Sequence, residues 1–399
     1  MAFRLLAATD RLAVKTNYSN KTLSHKNWKC VISRAPFRGV EAKEPALAIL
    51  AVTLMRRFAL CLLGFGNVNR TLIELLQRKD TELHERYGIE WRITGVASRR
   101  IGWQVNASGF DVADLLRARS SDAFASDAFA RIRGEECKHC NAWLDAAQPD
   151  VVFEATSLNV ETGQPAIDHI RAALEHGAHA ITANKGPVVH AYEELRELAD
   201  RRSKQFLFES TVMDGIPIFS LFRHTLPAIE VRGFKGILNS TTNVILTGME
   251  QGLSFDESLG KAQQLGVAEA DASHDIDGWD AAVKVAALVN VIMGVPLPPQ
   301  KVEREGIRGL TGEAVRSARN AGAPYKLICR AQRAESGVTA SVRPEQIPFT
   351  DPMALVGGTS SIIQFETDIF PRVTITEENP GLYATAYGML ADFIRATGS

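Results

Sequence analysis

Six consecutive apolar residues, Phe58-Ala59-Leu60-Cys61-Leu62-Leu63, run straight into Gly64-Phe65-Gly66-Asn67-Val68-Asn69. A buried strand that ends in a glycine-rich turn leaves few folds open. The first glycine permits a tight turn. The second lets a pyrophosphate approach the backbone at the start of a helix, expected over residues 70–77. A second apolar strand is expected over residues 91–97. Strands joined in this way by helices make an α/β chain with a Rossmann-type nucleotide-binding domain. The expected dinucleotide contacts are Gly64, Gly66, Asn67 and Val68. Asn69 stands where such turns carry a third glycine, which predicts a looser pocket or a slightly displaced helix. A Rossmann-like domain that binds nothing is the plain alternative.

The second strand leads into Ser98-Arg99-Arg100. A site for NAD places an acid there, whereas arginine suits the 2′-phosphate of NADP. Ser98 and Arg99 therefore join the expected cofactor contacts, the alternative being surface arginines in a loop. A third strand, over residues 150–155, ends in Thr156-Ser157. A helix over 166–176 leads to a fourth strand, 179–182, which runs into Ala183-Asn184-Lys185-Gly186-Pro187. The carboxyl ends of these strands form the ligand crevice, so Thr156, Ser157 and Lys185 are expected at it. A lysine in a solvated loop is the alternative for Lys185.

An acidic loop, Gly266-Val267-Ala268-Glu269-Ala270-Asp271-Ala272-Ser273-His274-Asp275-Ile276-Asp277-Gly278, feeds a helix that is apolar on nearly every face. Such a helix belongs inside a core. Asp277 can cap its start and Gly294 its end. Lys284 follows Asp280 by one turn, so the two share a face. A cation among Ala281, Ala287 and Leu288 must be paired or face a cavity. Burial lowers a lysine's pKa, which suits proton transfer. An ordinary solvated ion pair is the other reading.

With Glu209-Ser210-Thr211-Val212 and Gly236-Ile237-Leu238-Asn239-Ser240-Thr241-Thr242-Asn243, these motifs resemble, in order, those of the homoserine dehydrogenase family, from about Phe58 to the C-terminus. The resemblance implies NAD(P)-dependent interconversion of L-aspartate 4-semialdehyde and L-homoserine, on the route to threonine and methionine. It implies that Lys284 is the general acid of the reductive direction and Lys185 a second catalytic lysine. Glu269 matches the carboxylate that holds the substrate ammonium. Asp275 and Asp280 match acids around the substrate and the catalytic lysine, and Ser240 and Thr241 match the loop at the substrate's carboxylate. An amino acid zwitterion needs such groups: an anion, donors, and an acid near the reacting oxygen. The family also implies a homodimer. It further implies a monovalent cation such as sodium, held after Glu209 by backbone carbonyls at Val212, Asp214 and Ile216.

The chain departs from the family at Asn69, Val267, Ser240, Met213-Asp214 and Thr376-Glu377-Glu378-Asn379-Pro380-Gly381-Leu382, the last replacing a glycine-rich loop beside the nicotinamide. These departures leave room for another small oxo or hydroxy acid as substrate. A nucleotide-binding regulator without turnover is a third reading, against which the two lysines argue.

The expected organisation is a nucleotide-binding domain over 55–205, a catalytic and dimerisation domain over 206–375, and a last helix within 376–399 that returns to the nucleotide domain. Strands are expected near 205–209, 230–238, 324–331, 337–343 and 360–367, with helices starting at Asn243, Phe255 and Asp277. No regulatory domain is expected after the last helix. Residues 1–54 are basic, with only Asp10, Glu41 and Glu44 as acids. They read as a targeting segment or as an upstream stretch before a natural start at Met55. The apolar run over 46–55 is shorter than the ~18 residues of a membrane span, so no membrane partner is expected. Residues 99–147 read as a polar insertion with a duplication, Ser121-Asp122-Ala123-Phe124-Ala125-Ser126-Asp127-Ala128-Phe129-Ala130. A net charge of −1 gives no reason to expect nucleic acid. Five cysteines, an odd number, point to a reducing, cytoplasmic setting. Cys137-Lys138-His139-Cys140 has metal spacing without a second pair and reads as two loop thiols.

Overall fold

The computed structural model describes residues 55–117, 132 and 134–398. The basic stretch 1–54 and the duplication at 121–130 lie outside them. The first sheet holds β1 Arg56–Leu63, β2 Ile89–Ser98, β3 Gly102–Val105, β4 Glu135–Cys137, β5 Val151–Glu154, β6 His179–Thr182 and β7 Phe206–Leu207. Their order across the sheet is β4-β3-β2-β1-β5-β6-β7. β1 runs parallel to both β2 and β5, and β6 continues the parallel run between β5 and β7. The chain thus winds away from β1 in both directions, and the crevice at this switch point opens at the carboxyl ends of β1 and β5. Leu60, Cys61 and Leu62 have no exposed surface, which explains why β1 is an unbroken apolar run.

The stretch expected as a polar insertion instead supplies the antiparallel edge of this sheet, β3 and β4. β4 is the edge strand and β3, between it and β2, is only half buried, so their polar residues hid them. The helix Cys140–Ala147 covers them, with Trp143 buried and its indole N–H donated to the Gln104 carbonyl at 3.0 Å.

The second sheet holds β8 Val231–Ile237, β9 Glu303–Arg304, β10 Tyr325–Ala334, β11 Gly337–Gln346, β12 Ser361–Thr367 and β13 Val373–Glu377. Its order is β13-β12-β8-β10-β11-β9, antiparallel except for β9 beside β11. β13, a strand the sequence did not announce, runs into the loop expected from Thr376: Val-Thr-Ile-Thr-Glu alternates as an edge strand does, and it pairs with β12. One face of this sheet packs, through Phe234, Cys329, Ala331, Val342 and Phe365, on a core that includes the helices Ser240–Glu250 and Trp279–Leu288.

The helix Trp279–Leu288 buries everything but Trp279, Asp280 and Lys284. Asp277 does not cap it. Gly278 occupies the cap position at φ 79, a left-handed conformation that glycine tolerates, and the Asp277 carboxylate instead accepts from Arg308 at 3.0 and 3.2 Å. The chain then widens into a five-residue turn, Val289–Met293, and closes at Gly294, φ 65, as expected. The last helix, Leu382–Thr397, lies on the first sheet, with Phe393 edge-on to Phe58 and Phe153 at 5.9 Å each. Among the described residues no helix is long and apolar enough to cross a membrane.

Candidate active site

Asp280, in the first turn of its helix, is the hub of the polar cluster at the crevice. Its carboxylate meets Lys284 at 3.0 Å, one turn on, and Lys185 at 3.3 Å, the first residue of the helix Lys185–His190 after β6. The Lys284 ammonium also donates to the Leu238 carbonyl at 2.6 Å. Asn239 joins a second carboxylate: its amide nitrogen donates to Asp275 at 2.6 Å and to Asp280 at 3.0 Å. The Asn239 amide oxygen caps the next helix by accepting the Thr242 amide at 2.8 Å, so the side chain has little freedom. The Thr241 hydroxyl lies 2.7 Å from the Val267 carbonyl and 3.1 Å from Asp275. Sequence had placed Asp280, Lys284, Lys185, Asp275 and Thr241 here. It had not singled out Asn239, whose only sign was its place before Ser240 as a capping residue.

Burial works against each of these charges, and the neighbours decide the outcome. For Lys284 the desolvation is outweighed by Asp280, with Asp214 and Asp275 adding to it, so its pKa is raised. The expected lowering is therefore reversed, because a carboxylate at 3.0 Å counts for more than the apolar residues around the stem. Asp280 is likewise disfavoured by burial, but the two lysines and Asn239 hold its carboxyl far below the usual range. Asp275 is raised, by burial first and then by the charge of Asp280. A lysine held as ammonium against a fixed carboxylate keeps a proton in place at the crevice, available to a group on which negative charge develops.

Across the crevice, Gly64 takes φ 87, and a Cβ there would sit 2.4 Å from the Ala155 carbonyl oxygen. Only glycine fits that approach between β1 and β5. Gly66 has nothing within 4 Å of where a Cβ would stand, and the helix Asn67–Arg78 starts directly after it. Open space before first-turn amides fits a dinucleotide pyrophosphate. Asn67 is exposed and Val68 half-buried at this turn. Asn69 does not loosen the pocket: it is wholly buried, and its amide nitrogen donates to the Gly64 and Leu63 carbonyls at 2.8 and 3.2 Å. The larger side chain replaces a close glycine contact by hydrogen bonds to β1. The Ser98 hydroxyl accepts the Arg100 amide at 3.3 Å, beside an exposed Arg99. Thr156 and Ser157 follow β5 at the mouth of the crevice, Ser157 exposed.

Other expected residues stand apart from this cluster. Glu269 is exposed, and its contact runs through its backbone carbonyl to Gln263 at 3.2 Å. The Ser240 hydroxyl donates to the Thr359 carbonyl at 3.2 Å. Glu209 accepts the amides of Phe219 and Ser220 at 2.7 and 2.9 Å, and the Ile216 carbonyl accepts the Ile218 amide at 2.8 Å. Both are thus engaged within the chain. Val212 is buried, and Asp214, at φ 53, accepts the Thr385 hydroxyl at 2.7 Å. Glu377, at the end of β13, is 7% exposed, and one of its carboxyl oxygens has no partner. Burial, and then the charge of Asp214, push its pKa up to about 8, against the pull of Lys284.

Two family models match the chain: homoserine dehydrogenase over residues 217–394, and the homoserine dehydrogenase NAD-binding domain over residues 64–209. The NAD(+)-dependent homoserine dehydrogenase of Pseudomonas canavaninivorans is 35% identical over 342 residues, covering 85% of this chain and 96% of that one. A crystal structure of a homoserine dehydrogenase from Thiobacillus denitrificans is similar with a TM-score of 0.72 and 30% identity, covering 86% of this chain and 74% of that one. A hyperthermophilic archaeal homoserine dehydrogenase mutant in complex with NADPH gives 0.71 and 28%, over 86% and 98% of the two chains.

Proposed function

The chain belongs to the homoserine dehydrogenase family, and we propose how its residues carry the NAD(P)-dependent interconversion of L-aspartate 4-semialdehyde and L-homoserine. The observation that supports the assignment of roles most directly is Asp280 held between Lys284 and Lys185. When bound, the nicotinamide supplies the hydride that reaches the aldehyde carbon. The Lys284 ammonium gives its proton to the aldehyde oxygen as negative charge develops there, and takes it back in the oxidative direction. Asp280 keeps that ammonium charged and fixed. Lys185 places a second cation beside the same oxygen.

Around them, Glu269 takes the substrate ammonium, with Asp275 braced by Asn239 and Thr241 behind it. Ser240 and Thr241 meet the carboxylate end. Gly64, Gly66, Asn67 and Val68 receive the pyrophosphate, Ser98 and Arg99 the adenosine ribose and a 2′-phosphate, and Thr156 and Ser157 the nicotinamide side. We read the cofactor as NADP on the strength of Arg99. The same reading puts the enzyme on the route to threonine and methionine, in the cytoplasm, where the free thiols of Cys61, Cys137, Cys140 and Cys329 suit a reducing setting. A homodimer through the second sheet is supported by Gln364. That residue is 4% exposed with neither end of its amide hydrogen-bonded, in a hollow of about 210 Å³ beside Lys235 and Arg330. A buried amide without partners is costly, and a second copy that seated a polar side chain in the hollow would supply them.

The test is absorbance-monitored turnover of both substrates with NADP(H) and NAD(H), wild type beside Lys284→Ala and Lys185→Ala. Turnover in the wild type with a loss of at least ~100-fold in each variant is expected of general-acid and charge-stabilising groups. A variant that keeps full activity removes its lysine from the mechanism.

A further inference from the structure

β5 ends in a residue that the mechanism above does not use. Glu154 is 1% exposed, at the floor of the crevice, and both of its carboxyl oxygens are taken up. One accepts the Thr156 amide at 2.8 Å and also the Thr156 hydroxyl; the other accepts the Thr182 hydroxyl, from the end of β6, at 2.6 Å. The Thr182 oxygen in turn accepts the Asn184 amide at 2.9 Å. Asn184 closes the circuit, its side-chain nitrogen donating to the Thr156 carbonyl at 3.2 Å. Its side-chain oxygen accepts the Gly186 amide at 2.9 Å and so caps the helix Lys185–His190.

Thr156, Glu154, Thr182 and Asn184 therefore form a closed hydrogen-bonded ring that ties the end of β5 to the end of β6. Lys185 sits between the two residues, Asn184 and Gly186, that the ring and its cap immobilise. Hydrogen bonds in a buried ring stiffen one another, and a shift in one member is felt by all. We propose that Glu154 is a positioning residue for the reaction, which through Thr182 and Asn184 fixes Lys185 relative to the cofactor-facing loop Thr156-Ser157. The proposal rests on the reading of Lys185 as catalytic. It adds a reason for a carboxyl group in a strand end that packing alone would fill with an apolar residue. A catalytic cation displaced by a fraction of an ångström loses rate while the substrate still binds.

The experiment measures kcat, the KM for L-homoserine and the dissociation constant of NADP⁺ for Thr182→Val, Thr182→Ser and Glu154→Ala, each also combined with Lys185→Ala. Thr182→Val removes the bridging hydroxyl at nearly constant volume. It is expected to lower kcat about tenfold or more, with the KM for L-homoserine nearly unmoved, while Thr182→Ser, which restores the hydroxyl, stays within about twofold of wild type. Glu154→Ala cuts both links and is expected to lower kcat at least as far; should it fail to fold, the Thr182 pair carries the test alone. In the Lys185→Ala background neither change is expected to cost anything further, because its effect runs through that lysine. Losses that multiply with that of Lys185→Ala, or a Thr182→Val enzyme with wild-type kcat, overturn the proposal. Full turnover by Lys185→Ala alone overturns the reading of Lys185 and the proposal with it, and so is distinguishable from the first two results.

Discussion

Asp280 serves two cations at once, Lys284 at 3.0 Å and Lys185 at 3.3 Å, and this sharing sets what its removal does. Asp280→Asn leaves two ammonium groups facing each other without their common counterion, and the pKa of Lys284, now held up chiefly by Asp280, falls. The basic limb of the pH dependence of kcat/KM in the reductive direction is expected to move to lower pH in Asp280→Asn; a limb that does not move assigns it to another group. At Arg99, replacement by alanine is expected to weaken NADP⁺ about tenfold and to leave NAD⁺ unchanged, as loss of one charge-assisted contact would. Equal affinities before and after the change would remove Arg99 from cofactor choice. The pairing of Asp280 with Lys284 was legible because residues four apart on a helix must meet. The direction of the Lys284 shift was not, since it depends on a distance that spacing alone does not give. Glu154 was visible only as an acid ending the run Val151-Val152-Phe153, a sign that a buried partner lay nearby.

The elements that announced themselves were those buried on both sides, such as β1, or with one strongly apolar face, such as the helix Ala166–His176. Those missed, β3, β4 and β13, are short strands at or next to a sheet edge, where half-exposed polar residues blur the apolar run. Close packing of two elements was equally hidden. The last helix approaches the segment after Glu209 through two glycines: a Cβ on Gly388 would stand 2.5 Å from the Ser210 hydroxyl and 2.8 Å from the Gly215 Cα. Within an ordinary helix, glycine to alanine stabilises by roughly 0.5–1 kcal/mol. Here the backbone of residue 215 cannot give way, so Gly388→Ala is expected to destabilise by about 1–3 kcal/mol. Urea denaturation decides the sign, and a stabilised variant would mean that the two elements sit further apart.

Over the whole molecule, buried acids set how stability responds to pH. Burial pushes Asp392 up from 3.8 to about 7, the Glu209 charge adds to it, and hydrogen bonding from the Glu209 amide opposes it. Glu377 rises from 4.5 to about 8. Both hold their protons longer in the folded state than in the unfolded chain. Unfolding therefore releases protons between about pH 4 and 8, and stability falls as pH rises through that window. The urea midpoint is expected to drop from pH 5 to pH 8, and to drop less in Asp392→Asn; a flat wild-type profile would contradict the burial of these groups. The helix Leu382–Thr397 also ties late-made residues to early-made ones in time. Phe393 completes a core begun by Phe58 and Phe153, so as the chain leaves the ribosome its nucleotide-binding sheet stays unsealed until that helix has been made, with this apolar surface open to aggregation in the meantime.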